Sequence, residues 1–297
     1  MTMKPVRKAV LPAGGNSTRF LPATKAQPKA MLPLVDKPAI QYVVEEAVLA
    51  GITDILVVTG RITRAVADHF DRAPELEREL DTAGKADALE AVRSVSDMAR
   101  MHYVRQGQAL GLGHAVGVAR AFVGDEPFAV LLPDDLMVDD ATLLKNMIAA
   151  SAEHAGSVVA FREVPRDEVS AYGVAEVDPE PVTEGLMRLR GIVEKPDPED
   201  APSTYIATGR YVFTPTIFEC LERVRPGKGG EIQLTDAISL LILQEPVFAA
   251  IFEKGRFDVG TPLDFLQAAV QLTLDRPDLG PSFAEFLTAL VRDRGLS

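Results

Sequence analysis

The sequence predicts an α/β fold, a mixed and mostly parallel central sheet flanked by helices, and three observations carry that expectation. Short apolar runs bounded by glycine or proline recur, beginning with Lys8-Ala9-Val10-Leu11-Pro12 ahead of Gly14-Gly15; such runs mark strands buried on both faces. The segment Ala39 to Val48 is apolar at helical spacing and is closed by Gly51, the residue that best ends a helix. Ile55-Leu56-Val57-Val58 then supplies a second buried strand, and a strand–helix–strand unit implies parallel strands.

The remaining elements follow in order. The stretch from about Asp68 to Arg100 is charged and helical in pattern, without a strand signal, and reads as a helical excursion from the sheet. His102-Tyr103-Val104 returns to the sheet, and a helix begins near Leu112. Phe128-Ala129-Val130-Leu131-Leu132 is the next buried strand and runs into Pro133-Asp134-Asp135. Ligands of open α/β sheets collect outside the carboxyl ends of the strands, so this acidic pair is well placed for chemistry. From Gly156 the pattern turns strand-rich, with runs at 158–161, 174–177, 191–194 and 210–213 that either extend the sheet or form a flap beside it. Helical spacing returns over 232–243, Phe257-Asp258-Val259-Gly260 ends a further strand, and a helical tail opens at Asp264.

At 297 residues, 47% apolar and 25% charged, the chain is read as one domain. Residues 1–155 form its first half, 156–260 its second, and 261–297 a helical tail suited to contact with another copy. No Gly- or Ser-rich linker divides it. A formal charge of −12 makes nucleic acid and anionic membranes unfavourable partners. No apolar run approaches the roughly 20 residues of a membrane span, no signal-peptide core follows the first residues, and a cytoplasmic address is expected. The single cysteine, Cys220, sits among Ile217, Phe218 and Leu221 and reads as a core residue. His69, His102, His114 and His154 lack metal-site spacing, and His114 reads as an N-terminal residue of its helix.

The chemistry concentrates after the first strand. Gly14-Gly15-Asn16-Ser17-Thr18-Arg19 is followed by Pro28-Lys29. Small residues let backbone amides approach phosphate oxygens, and fixed cations on a proline-stiffened loop suit a triphosphate. Neither the Walker nor the dinucleotide glycine pattern is present. Taken singly, the Asp134-Asp135 pair, Asp258 or Glu194-Lys195 reads as no more than a turn or a solvated surface. Their order along the chain gives them weight.

The run from Gly14 through Leu32-Pro33 resembles the signature loop of nucleotidyltransferases that make nucleotide sugars. Val35 to Val44, Arg105-Gln106-Gly107, Gly111-Leu112-Gly113-His114-Ala115, Glu194-Lys195-Pro196 and Glu231 to Ala237 narrow the resemblance. It narrows to the bacterial UTP–glucose-1-phosphate uridylyltransferases and spans Lys8 to about Leu274. The resemblance implies a Rossmann-like fold of the nucleotide-diphospho-sugar transferase type, acting on UTP and glucose 1-phosphate to give UDP-glucose and diphosphate. It implies that Ala13, Gly14 and Gly15 cradle the nucleotide, Arg19 meets the departing diphosphate, and Lys29 sits where charge builds. Gln106 and Gly111 would read the uracil edge. Asp134 would hold Mg²⁺ with Asp258, although the choice between Asp134 and Asp135 stays open. Gly173, Glu194 and Lys195 would bind glucose 1-phosphate, and Arg19, Lys29 and Lys195 are the catalytic cations. A homo-oligomer, dimer or tetramer, is also implied.

Two positions depart from the family pattern. Ser17 stands where a glycine is usual, and Ala30 where a glutamate usually follows the lysine. These bear on substrate choice, so the same reaction with dTTP or another hexose 1-phosphate stands as the alternative, with a non-catalytic regulatory paralogue behind it.

Overall fold

The computed structural model describes residues 4–15, 17–60 and 64–295; the notable loop residue Asn16 lies outside the described residues. Nine strands form one sheet: β1 (Lys8–Ala13), β2 (Asp54–Thr59), β3 (Arg100–Arg105), β4 (Phe128–Leu131), β5 (Ser157–Glu163), β6 (Gly173–Thr183), β7 (Leu186–Glu194), β8 (Tyr205–Phe213) and β9 (Val247–Ile251). Their spatial order is β3-β2-β1-β4-β8-β5-β9-β7-β6. The second-half strands therefore extend the same sheet, which settles the choice left open by the sequence.

The sheet is mixed, as expected, with its two strand directions segregated. β3, β2, β1 and β4 run parallel. β8 then lies antiparallel between β4 and β5, β9 is parallel to β5, and β7 and β6 form an antiparallel hairpin at the far edge. Parallel pairing thus dominates the first half only. The wholly apolar run Val247–Ile251 is a central strand that the sequence reading passed over, although Pro246 bounds it like the others.

Alternation along each strand sorts the core into two layers, because successive side chains point to opposite faces. Ala9, Leu11, Ile55, Val57, Ala129 and Leu131 pack with the helices Ala39–Leu49 and Thr142–His154. Val10, Leu56, Val58, Phe128 and Val130 pack with the helices Leu112–Val118, Thr216–Arg223 and Leu234–Ile242. Cys220 is fully buried in the second layer, as its neighbours predict. Among the described residues the excursion between β2 and β3 holds three helices, Arg64–Phe70, Pro74–Thr82 and Ala86–Ser96.

The strand that ends near Gly260 stands apart from the main sheet. Arg256–Asp258 does not join the main sheet; it pairs antiparallel with Asp135–Met137, in register Asp258 to Asp135. The Asp134-Asp135 turn is therefore also the start of a short strand. Beneath it lies a buried ion pair that the sequence reading missed. Arg210 of β8 and Glu46 of the first helix are 1% and 3% exposed. The guanidinium donates to both Glu46 carboxylate oxygens at 2.6–3.0 Å and to the Gly209 and Leu132 carbonyls. It thus ties the sheet to the turn that displays Asp134.

Candidate active site

β1, β2, β3 and β4 end together in parallel, so Gly14-Gly15, Gly60, Gln106 and Pro133-Asp134 emerge at one edge. Two glycines there touch: a Cβ on Gly14 would lie 2.9 Å from Gln106 Oε1, and one on Gly60 would lie 2.9 Å from the Gly14 carbonyl. Side chains at either place would close the cleft against the strand ends. Ala13, Gly15, Ser17, Arg19, Lys29 and Asp134 line one lobe of this cleft. Gly14, Gly60, Gln106, Gly107, Gln108 and Ala109 line the adjoining lobe, and a third region joins Gln106 and Gly111 to Asp134 and Glu231. Arg19 and Lys29 therefore share a wall with Asp134.

Ser17 has φ 50° and ψ 37°, the left-handed conformation. It carries the angles a glycine would hold freely, and its hydroxyl donates to the Gly15 carbonyl at 3.3 Å. Left-handed backbone costs a non-glycine residue about 1 kcal/mol. Ser17→Gly is expected to stabilise the protein by about 0.5–1 kcal/mol, read by chemical denaturation; a loss of stability would mean that the hydroxyl contact outweighs the strain.

The two adjacent aspartates have separate surroundings. Asp135 is buried; it accepts from the Gly209 amide at 3.0 Å and from Arg256 at 2.9–3.0 Å. Its valences belong to the scaffold. Asp134 is 39% exposed in side chain, faces the cleft, and meets Lys29 Nζ at 2.6 Å. Of the two, Asp134 is the carboxylate open to a ligand.

Asp258 is brought beside it, since the Val259 amide donates to the Asp134 carbonyl at 2.9 Å. One Asp258 oxygen accepts from the Gly260 amide at 2.8 Å, and the other from Arg256 at 3.1 Å and the Tyr172 hydroxyl at 3.3 Å. Arg256 is thus clamped between Asp135 and Asp258. Burial opposes its charge, but Asp135 and then Asp258 outweigh burial and hold the guanidinium above its ordinary pKa. The Tyr172 phenol is pushed up, first by burial and then by the Asp258 charge. Arg256 went unremarked in the sequence, yet residues i and i+2 of a strand share a face, and Arg256 lies two before Asp258.

Tyr172 leads to the second cluster. Its carbonyl accepts the Lys195 amide at 2.9 Å, and the next residue, Gly173, pairs across the hairpin with Glu194. A Cβ on Gly173 would lie 2.7 Å from Thr235 Cγ2. Glu194 accepts from Thr235 at 2.9 Å and meets Lys195 Nζ at 2.9 Å. Lys195 itself is left-handed, with φ 47°. Nearby, burial and then the charge of Glu194 raise the pKa of Asp236. Gly173, Glu194 and Lys195 are therefore one group, and Tyr172 connects it to Asp258. Thr235 belongs to this group and was not singled out in the sequence.

Ala30, where a glutamate was the expectation, is buried at the cleft beside Lys29 and packs with the core. Gln106 donates through Nε2 to the Gly111 carbonyl and to His114 Nδ1, both at 3.1 Å. His114 is the third residue of the helix Leu112–Val118, as its position predicted, and this contact was not foreseen. Among the described residues no three His, Cys, Asp or Glu side chains gather as a metal cluster.

Residues 8–274 match the nucleotidyl transferase family. The chain is 48% identical to the UTP–glucose-1-phosphate uridylyltransferase of Bacillus subtilis strain 168, over 97% of this chain and 98% of that one. The chain belongs to the nucleotidyl transferase family. The corresponding uridylyltransferase of Streptococcus pneumoniae serotype 4 is 49% identical, over 99% of this chain and 98% of its own. Among solved structures, a UTP-bound UGPase from Acinetobacter baumannii superposes with a TM-score of 0.89 at 40% identity, covering 95% of this chain and 99% of that one. A UDP-glucose pyrophosphorylase complexed with UDP-glucose gives 0.83 at 41% identity, covering 91% of this chain and all of that one. This likeness extends through both halves of the sheet.

Proposed function

We infer that the chain catalyses UTP + α-D-glucose 1-phosphate → UDP-glucose + diphosphate. The observation that carries this is full-length likeness to uridylyltransferases at 48–49% identity; Arg19, Lys29 and Asp134 on one cleft lobe, and Tyr172 linking the Glu194-Lys195 cluster to Asp258, support it. In this reading Ala13, Gly14 and Gly15 receive the triphosphate backbone, Gln106 and Gly111 read the uracil edge, and Arg19 meets the departing diphosphate. Lys29 faces the α-phosphate. Glu194 accepts from sugar hydroxyls beside Gly173, and Lys195 pairs with the sugar phosphate.

The donor set suits Mg²⁺, a hard ion that prefers oxygen and draws several ligands from substrate phosphates and water. Asp134 and Asp258 supply two carboxylates on adjoining backbone, and phosphate and water oxygens would complete the shell. Held by Asp134 and Asp258, Mg²⁺ would screen the charge of the triphosphate. The remaining work falls to this chain's own residues. A sugar-phosphate oxygen is already anionic and needs no strong base, so holding two anions in line dominates. The oxygen bonds to the α-phosphorus while the α–β P–O bond breaks, diphosphate leaves with the electron pair, and configuration at phosphorus inverts.

Incubation with UTP labelled at the α-phosphate should leave no label on the protein, and all of it should appear in UDP-glucose once glucose 1-phosphate is added. A uridylylated protein that turns over competently would overturn direct transfer. No helix among the described residues is long and apolar enough to cross a membrane, which accords with a cytoplasmic address. Assembly as a dimer or tetramer through the tail is part of the proposal; Leu263, Leu266 and Phe286 on the last two helices are 57–64% exposed and support it.

A further inference from the structure

We propose that His114 is a positioning residue that fixes which end of the Gln106 amide faces the nucleobase, and so sets uracil apart from cytosine. The inference rests on the proposed reading of the base by Gln106. The Gly111 carbonyl can only accept, so the Gln106 atom 3.1 Å from it must be the amide nitrogen. That same nitrogen lies 3.1 Å from His114 Nδ1. Since it carries only hydrogens to give, Nδ1 must accept, and the imidazole proton must sit on Nε2.

Both amide hydrogens are thereby taken up by acceptors of the protein. The oxygen is left on the other side, over Gly14, where a Cβ would stand 2.9 Å from it. Gln106 and Gly14 line the same lobe. What this side chain offers a ligand is an acceptor alone. Uracil and thymine carry an N3–H that can donate to it; cytosine presents a lone pair at N3 and is repelled. Without His114 one anchor remains, and the amide can turn to offer a hydrogen instead. The discrimination is thus held by a residue that need not touch the substrate, the helix residue at 114 acting through the loop residue at 106.

The test compares kcat/KM for UTP and CTP in wild type, His114→Leu, His114→Asn and Gln106→Leu. His114→Leu removes the acceptor; His114→Asn keeps one, because an asparagine carbonyl can stand near the Nδ1 position. For His114→Leu the UTP-over-CTP preference should fall about tenfold, the worth of one well-made hydrogen bond. That fall should be carried by KM for UTP, with kcat and KM for glucose 1-phosphate changed less than about threefold. His114→Asn should restore the preference to within about threefold of wild type. An unchanged preference in His114→Leu, alongside a collapsed one in Gln106→Leu, overturns the role of His114 and leaves Gln106 as reader. An unchanged preference in Gln106→Leu overturns the reading of the base itself. If the leucine variant does not fold, ¹⁵N NMR of the wild-type imidazoles decides: the proposal requires an unprotonated Nδ1 and a protonated Nε2 on His114, and the opposite tautomer overturns it.

Discussion

Asp134→Ala lowers kcat by about a thousandfold or more, the scale expected when a metal-assisted electrostatic contact is removed, and the fold survives. The two halves of this expectation come from the same geometry. Asp134 stands at the carboxyl end of β4 with its side chain 39% exposed and its oxygen 2.6 Å from Lys29 Nζ, in a cleft lobe shared with Arg19. Removing it leaves Lys29, 15% exposed in side chain, facing the cleft beside the Phe20 ring, so stability changes by no more than about 2 kcal/mol. Asp135→Ala reverses the pattern. Its loss strips a buried guanidinium of its bidentate partner and acts first on stability. The pair is resolved by measuring turnover and thermal unfolding for both variants, with Asp258→Asn as a third that loses turnover like Asp134→Ala. Unchanged turnover in Asp134→Ala would remove it from the site.

Arg210→Met destabilises the protein by about 3–5 kcal/mol, because it leaves a carboxylate buried with no counter-charge. Glu46 keeps only its 3% exposure, and burial already pushes its pKa up against the pull of Arg210. With Arg210 gone burial is unopposed. The sign follows from linkage: a carboxyl whose folded pKa lies above its unfolded value supports the fold at low pH and loses that support as pH rises through the folded pKa. The variant's deficit relative to wild type should therefore be smaller at pH 5 than at pH 8. Glu46→Leu combined with Arg210→Met should recover much of the loss, since an apolar pair can replace a buried ion pair at little cost. Turnover in the double variant is a separate reading, because Arg210 also bonds the Leu132 carbonyl beneath the Asp134 turn.

The apolar runs at 8–12, 55–58 and 128–132 made the parallel half of the sheet legible, since a strand buried on both faces needs nothing but apolar residues. The direction of β8 and the position of Arg256–Asp258 were not legible. Pairing partners are chosen by packing across the chain, and no local pattern records them. Among site residues, the glycine loop, Lys29, Asp134 and Glu194-Lys195 stood out because motif and strand end coincide. Arg256, Tyr172 and Thr235 did not: each acts on a neighbour far along the chain, as Arg256 does on Asp135. The same holds for Glu46 and Arg210, 164 residues apart, where a charged residue in an apolar run was the only sign. Ser17 is the converse, a local departure from glycine that the sequence flagged and whose left-handed backbone the structure displays.

In the proposed reaction this cleft transfers the uridylyl group of UTP to glucose 1-phosphate. The direct measurement is diphosphate release by the full chain with Mg²⁺ and glucose 1-phosphate, across UTP, dTTP, CTP, ATP and GTP, with UDP-glucose identified as the second product. Release that is strongest with UTP, depends on the sugar phosphate, and falls about a thousandfold in Asp134→Ala is the predicted result. Preference for dTTP, or no release with any nucleotide, would contradict it.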